Sequence, residues 1–117
     1  MEPAGDIVVL LSTAPPAESA NLARMLIERR LVACVNIIPV RSLYQWKGEF
    51  CDDKEHLLVM KTMREHAEEA IAAIKLQHPY EVPEIIVLPV IAGYLPYLDW
   101  VYQETRNKTY PEKISKD

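Results

Sequence analysis

Strand-like and helix-like segments follow one another along this chain in an order that few small folds can accommodate. Apolar or alternating runs that predict strands occupy 7–11, 32–38, 42–47, 56–61 and 84–91, and helical periodicity covers 17–30, 62–77 and 97–106. The order is therefore strand, helix, strand, strand, helix, strand and a last short helix. With right-handed crossovers, this order gives the split βαβ plan. We expect an α+β fold: a ferredoxin-like βαββαβ sandwich with an extended β-hairpin and a C-terminal helix.

A long β-hairpin is predicted between the two principal helices, from Val32 to Lys61. Lys47-Gly48-Glu49 is the best turn signal in the chain. Pro39 is expected to end or bend the first strand, and the stretch from Cys51 to Glu55 to form an acidic bulge or an irregular segment. A hairpin of this length exceeds what one small sheet needs. Its exposed edges favour pairing with another copy of the chain.

Apolar spacing predicts which helix faces are buried. The first helix, from about Ala17 to Arg30, should bury Leu22, Ala23, Leu26 and Ile27. The second helix begins with a predicted capping box, Thr62 to Glu65, and should bury Ala67, Ala70, Ile71 and Ile74. Its register, extended by one turn, reaches His78, whose side chain is expected to point along the buried face. The last helix, Tyr97 to Arg106, should pack Leu98, Val101 and Trp100.

Length and composition are those of one globular domain. The 117 residues are taken as a single domain, with an ordered core at about 6–106 and a polar C-terminal tail at 107–117. The net charge is −4 and the 13 Lys and Arg residues are scattered, which argues against nucleic acid as a partner. Pro89 interrupts the apolar run 85–91, so no membrane span is expected. The N-terminus lacks a basic signal region and only two cysteines occur, which favours the cytoplasm.

The segment from His78 to Glu84, called the arm below, carries more chemistry than a connector needs. Pro79 and Pro83 fix their own backbone and push the residues before them towards extended geometry. The arm therefore holds an imidazole, a phenol and two carboxylates in stiff positions. Rigid placement of polar groups on a connection is typical of binding sites.

Three motifs stand in order along the chain: LVACVNIIP at 31–39, SLYxWxG at 42–48 and HPYxVPE at 78–84. With STAP at 12–15, LPV at 88–90 and Trp100, they extend over roughly residues 7 to 104. In this combination the chain resembles the CutA family of divalent-cation tolerance proteins. The resemblance implies a homotrimer built by the long hairpins and an architecture related to PII-type signalling proteins. It also implies an association with copper and other divalent metal ions.

The metal site that the resemblance implies is only partly present. Copper-binding members carry a cysteine where this chain has Ser12 and a second histidine where it has Gln77. Without that thiolate and that imidazole, two good copper ligands are missing. We therefore expect Cu2+ or another divalent ion to be held weakly, by His78 with Glu84. The alternative for His78 is a hydrogen-bonded histidine that closes the helix, and for Glu84 a buried or interfacial acceptor.

Tyr44, Trp46, Lys61 and Tyr80 are predicted to line either a trimer interface or a ligand cleft. Tyr44 and Trp46 share one strand face, and aromatic residues are enriched at interfaces, which favours the first role. The second role belongs to a PII-like signalling trimer that binds an anionic metabolite, with Lys61 neutralising its charge. Pairing of Lys61 with Glu84 is the simpler alternative.

No nucleophile elbow, P-loop or dinucleotide fingerprint occurs in the sequence. We therefore predict no catalytic residue and no organic cofactor. An enzyme that uses His78 and Glu84 ranks last, because no partner nucleophile or positioned base is visible. The predicted function is that of a cytoplasmic homotrimeric divalent-cation tolerance protein, with itself and divalent metal ions as partners.

Overall fold

The computed structural model describes residues 2–3 and 5–106, so the predicted tail at 107–117 lies outside the described residues. The fold is α+β, as predicted. Its elements are β1 (Glu2–Pro3), β2 (Ile7–Ala14), α1 (Pro16–Glu28), β3 (Cys34–Trp46), β4 (Glu49–Met63), α2 (Ala67–Gln77), β5 (Ile85–Pro89), β6 (Ala92–Gly93) and α3 (Leu95–Thr105).

Four antiparallel strands form the main sheet in the order β3-β4-β2-β5. This is the ferredoxin-like order that the segment pattern predicted, with β2 in a central position. β3 and β5 are the edge strands, which accommodates Pro39 and Pro89 because an edge strand has one side free of ladder hydrogen bonds. A second, two-residue pairing joins β1 to β6, and no sequence pattern predicted it.

The hairpin of β3 and β4 is longer and more regular than predicted. Its pairing runs without interruption from Cys34 opposite Lys61 to Trp46 opposite Glu49. The two turn residues, Lys47 and Gly48, both have positive φ (51° and 81°), as a two-residue type I′ turn requires. The predicted break at Pro39 and the predicted bulge at 51–55 are therefore both wrong. The longest dimension of the molecule is 54 Å, close to the ~50 Å that a 15-residue strand spans.

One face of the sheet is covered by α1 and α2. The side chains in this core include Val8, Leu10, Leu22, Leu26, Leu58, Met60, Ala70 and Ile74. Ile27 was predicted to join them but is 42% exposed. Successive helical residues are ~100° apart, so Ile27 turns away from the sheet once Leu26 points into it. Ala67 and Ile71 lie at the margin and are only partly buried.

The predicted capping box does not form. Thr62 remains in β4, where its buried hydroxyl donates a hydrogen bond to the carbonyl of Leu31 at 2.7 Å. A 3-10 turn at Arg64–His66 then leads into α2, which has no side-chain cap. Because β4 continues to Met63 and Thr62 is fully buried, its hydroxyl stays in the core and does not cap the helix.

The opposite face of the sheet, called the open face below, is covered by α3 at one end only. There Leu98 and Val101 pack on Ile7 and Ala33, whereas Trp100, predicted to pack, is 42% exposed. Cross-strand pairing places further apolar side chains on this face: Val9, Leu11, Ile38, Leu57, Val59, Ile86 and Leu88. Of these, Ile38, Ile86 and Leu88 are 43%, 45% and 41% exposed.

Within the described part of the chain, none of the helices is both long enough and apolar enough to cross a bilayer.

Candidate functional site

The arm leaves α2 through His78, which is extended (φ −73°, ψ 139°) as the residue before a proline should be. Its side chain points inward, as the helical register predicted, and is 8% exposed. Nε2 donates to the Thr13 carbonyl at 2.7 Å, and Nδ1 accepts from the Tyr80 backbone N–H at 3.1 Å. Both ring nitrogens are thus engaged. This geometry matches the alternative of a hydrogen-bonded histidine that closes the helix.

Tyr80 connects the arm to the hairpin. Its hydroxyl donates to Oε2 of Glu55 at 2.6 Å, and its ring centroid lies 4.8 Å from that of His78. The carboxylate of Glu55 is buried, with the residue 4% exposed. Burial raises the pKa of Tyr80, and the hydrogen bond to Glu55 and the negative charge there raise it further.

Glu55 is the functional candidate that sequence reasoning missed, because it was assigned to a solvated bulge. In an unbroken strand, side chains alternate between the two faces. Glu55 therefore shares the open face with Leu57 and Val59, two positions and four positions further on. The signal that could have revealed it is this two-residue period, continued from the apolar part of β4 back to Glu55.

A cleft of about 450 Å³ lies between the hairpin and the arm. It is lined by Thr13, Ser42, Leu43, Tyr44, Trp46, Glu55, Tyr80, Val82 and Glu84. The structure thus brings together four of the predicted site residues from β3 and the arm. His78 is not in the lining but stands behind it, where it holds the backbone of two lining residues, Thr13 and Tyr80.

Lys61 is not part of the cleft. Its ammonium group contacts the Asn36 side chain and the Val59 carbonyl. It lies six residues from Glu55 along β4, a separation of ~20 Å in a strand. The arrangement therefore does not support the predicted role of Lys61 beside an anionic ligand in the cleft, nor its pairing with Glu84.

The cleft is acidic and aromatic. Two carboxylates, Glu55 and Glu84, are among its lining residues, and none of the lining residues is basic. The Tyr44 hydroxyl donates to Asp53 at 2.5 Å, and this hydrogen bond raises the pKa of Tyr44. Lys47 lies 5.6 Å from the centroid of the Trp46 ring.

Two basic side chains of the hairpin are already paired with carboxylates. Lys47 lies 3.3 Å from Glu81 of the arm, and Arg41 makes two hydrogen bonds to Asp52, at 2.9 and 2.8 Å. The hydrogen bonds from Arg41 lower the pKa of Asp52. These two positive charges are thus matched locally and do not neutralise the carboxylates of the cleft.

The described residues of one copy of the chain do not form a complete metal site. Among the described residues, no group of three or more His, Cys, Asp and Glu side chains is placed to hold a metal ion. His78 uses both ring nitrogens, and Glu84 is an exposed carboxylate six residues further along the arm. A resident, tightly held metal therefore does not fit residues 5–106 of a single subunit.

Tyr80→Phe is expected to reduce the loss of stability at alkaline pH. Because the folded state holds the Tyr80 proton more tightly than the unfolded chain, its contribution is complete below about pH 10, the ordinary tyrosine pKa, and is lost as the pH rises above it. Urea midpoints at about pH 8 and about pH 11, on either side of that pKa, should differ less in Tyr80→Phe than in the wild type. Tyr102→Phe, at an exposed position of α3, is the control. An unchanged difference in Tyr80→Phe would contradict the prediction.

Comparison with known proteins gives consistent matches over the folded core. The sequence matches the family model described as CutA1 divalent ion tolerance protein over residues 7–104. The divalent-cation tolerance protein CutA of Thermus thermophilus is 44% identical over 99 residues, which are 83% of this chain and 96% of that protein. The protein CutA of Homo sapiens is 41% identical over 105 residues, 88% of this chain but only 59% of the human protein.

A solved structure agrees with this assignment. The PII-like protein CutA from Nostoc sp. PCC 7120, in its apo form, superposes with a TM-score of 0.81 at 40% identity, covering 85% of this chain and 97% of that one. The family model spans the whole main sheet and nearly all of α3. This chain therefore belongs to the CutA1 divalent ion tolerance protein family and has its PII-like, ferredoxin-like fold.

Proposed function

We propose that this chain is the subunit of a homotrimer that takes part in the response to divalent cations and catalyses no reaction. The observation that carries the proposal is the open face of the sheet. Soluble chains rarely leave so many neighbouring apolar side chains in water unless another molecule covers them. Ile38 of β3 and Ile86 and Leu88 of β5 lie on one face of the sheet and are all more than 40% exposed.

Self-association is the simplest way to cover this face. The hairpin projects from the sheet, and β3 leaves an unpaired edge along its 13 residues. Exposed edges and apolar sheet faces both favour association with another strand-bearing surface. Three copies arranged around an axis would bury the open faces against one another. The hairpins would then pair at their edges.

We further propose that a divalent ion, copper among them, is contacted weakly by Glu84 and His78 at the arm. Glu84 is an exposed carboxylate. His78 can offer Nδ1 only when the Tyr80 amide gives up its 3.1 Å hydrogen bond. Since this bond must break and one subunit lacks further ligands, binding should be weak unless a second copy completes the site. Both cysteines are unpaired, which supports a reducing cytoplasm as the location.

Calorimetric titration of the metal-stripped protein with Cu(II) and Zn(II) tests the metal contact. We expect weak binding to the wild type and its loss in Glu84→Gln and in His78→Ala. Glu81→Gln is the matched control, because Glu81 is an exposed carboxylate of the same arm that does not line the cleft. Binding that persists in both test variants would show that the ion is held elsewhere.

A further inference from the structure

We propose that assembly of the trimer holds the arm closed against the hairpin, through a chain of hydrogen bonds that joins His78, Tyr80 and Glu55. These three residues are called the latch below. Opening of the arm and separation of the subunits are then coupled, so that each favours the other. The inference adds a conformational switch to the proposed trimer, on which it rests, and it does not involve the metal contact.

The arm is held to the rest of the subunit by few polar contacts outside the latch. It contains no helix or strand, since α2 ends at Gln77 and β5 begins at Ile85. Most of its residues are exposed, and His78 is the one that is buried. The ion pair of Glu81 with Lys47 joins two exposed side chains, and such pairs contribute little. Segments with few buried contacts open at a low cost in free energy.

The latch connects three parts of the subunit. Nε2 of His78 donates to the Thr13 carbonyl of β2 at 2.7 Å, and Nδ1 accepts from the Tyr80 amide at 3.1 Å. The Tyr80 hydroxyl then donates to Oε2 of Glu55 on β4 at 2.6 Å. Pro79 restricts the backbone between His78 and Tyr80. Because these two residues are joined in this way, displacement of the arm breaks the hydrogen bonds together.

Glu55 makes the latch sensitive to assembly. Its carboxylate lies on the open face and is buried, with the residue 4% exposed. When the arm opens in a single subunit, Glu55 loses its donor but water can replace it. In the trimer, the neighbouring copy covers the open face and excludes water, so the carboxylate would be left without a partner. Because a buried charge without a partner is costly, opening costs more in the trimer, and an open arm weakens assembly by the same amount.

Exchange of the Tyr80 amide proton for deuterium measures opening of the latch directly, because this amide donates to His78. The protein is metal-stripped and kept in chelator, and the exchange rate is divided by that of the β2 amides. Leu88→Asp places a charge on the open face and should separate the subunits. We expect its Tyr80 amide to exchange at least about tenfold faster than that of the wild type, the effect of a charged group left unpaired. Leu76→Asp, on α2, is the control and should exchange as the wild type does.

Tyr80→Phe breaks the latch at its other end without removing the ring. We expect the protein concentration at which half of the trimers dissociate to rise at least about tenfold, since the Glu55 carboxylate loses its donor. Light scattering over a dilution series at a fixed urea concentration measures it. In a Glu55→Gln background the same substitution should have a smaller effect, because a neutral amide costs less to leave unpaired. Tyr44→Phe removes a similar hydrogen bond, to Asp53 within the hairpin, and should leave the exchange of the Tyr80 amide unchanged.

Equal relative exchange at Tyr80 in the trimeric wild type and in single-chain Leu88→Asp would overturn the inference. Unchanged dissociation of Tyr80→Phe would overturn it as well, and this measurement decides alone if Leu88→Asp stays trimeric. Neither result affects the proposed trimer, whereas a wild type with the mass of one chain would overturn the trimer and the latch together. The metal titration is separate, since none of these variants changes His78 or Glu84.

Discussion

Leu88→Asp is expected to reduce the mass of the protein in solution from that of three chains to that of one, 13.4 kDa. Leu88 lies on β5, opposite Val9 on the open face, and is 41% exposed in the single chain. In a trimer that buries the open faces, Leu88 of each of the three subunits becomes buried. A carboxylate placed in apolar surroundings without a partner costs several kcal/mol, and three like charges would also repel one another.

Leu76→Asp is the matched control for this experiment. Leu76 is also a leucine at the surface, 89% exposed, but it lies on α2, which covers the other face of the sheet. Its substitution should leave the mass at that of three chains. Multi-angle light scattering over a range of concentrations gives both masses. If Leu88→Asp stays trimeric, or if the wild type has the mass of one chain, the open face is not the trimer interface.

Leu26→Ala is expected to destabilise the protein by about 2–5 kcal/mol, the usual effect of removing a large aliphatic side chain from a packed core. Leu26 is 0% exposed and lies between α1 and the sheet, away from the open face. The loss therefore reflects the core of the subunit and a cavity that its neighbours cannot fill. Urea unfolding at one fixed protein concentration measures it, because the stability of an oligomer depends on concentration.

Ile27→Ala is the control, since it removes an aliphatic side chain from the next position of the same helix. Ile27 is 42% exposed, and alanine has the higher helix propensity. We expect a change of about 1 kcal/mol or less. Similar losses for Leu26→Ala and Ile27→Ala would mean that both positions are buried in solution, as the apolar spacing alone suggested.

The element order was predictable from the sequence because periodicity is a local property. Most of the buried positions of α1 and α2, the turn at Lys47-Gly48 and the edge position of β5 followed from spacing and from proline and glycine placement. The ends of the two hairpin strands could not be predicted in this way. Whether Pro39 ends a strand depends on whether its strand pairs on one side or on both. The residues around Pro39 do not reveal the order of strands in the sheet. Once β3 is an edge strand, Pro39 costs no ladder bond on its outer side.

The Thr62 capping box shows the same limit in another form. Thr62 and Glu65 have the right spacing, but a long-range contact holds the Thr62 side chain inside the core. The Leu31 carbonyl, 31 residues away, is buried beside it and takes the bond. A buried carbonyl without a donor would cost ~1–3 kcal/mol, more than a typical helix cap contributes. Long-range contacts of this kind decide local geometry and cannot be read from a window of four residues.

The site was predicted in part. Tyr44 and Trp46 were placed on one strand face and Tyr80 and Glu84 on a stiff arm, and all four line the cleft. Lys61 was grouped with them only because it is basic and near a helix start; counting residues along β4 places it ~20 Å from Glu55. Glu55 was missed because its acidic neighbours suggested solvent, whereas the continuous pairing of β4 sets which face it occupies.

That continuous pairing also governs how the hairpin can change over evolutionary time. One residue inserted between Glu55 and Leu58 would leave Leu58 fixed in the core and turn Glu55 to the helix side of the sheet, away from the cleft. A two-residue insertion would restore its side. Lineages can therefore lengthen or shorten this part of β4 in even steps while keeping the cleft, and odd steps survive only with a compensating bulge.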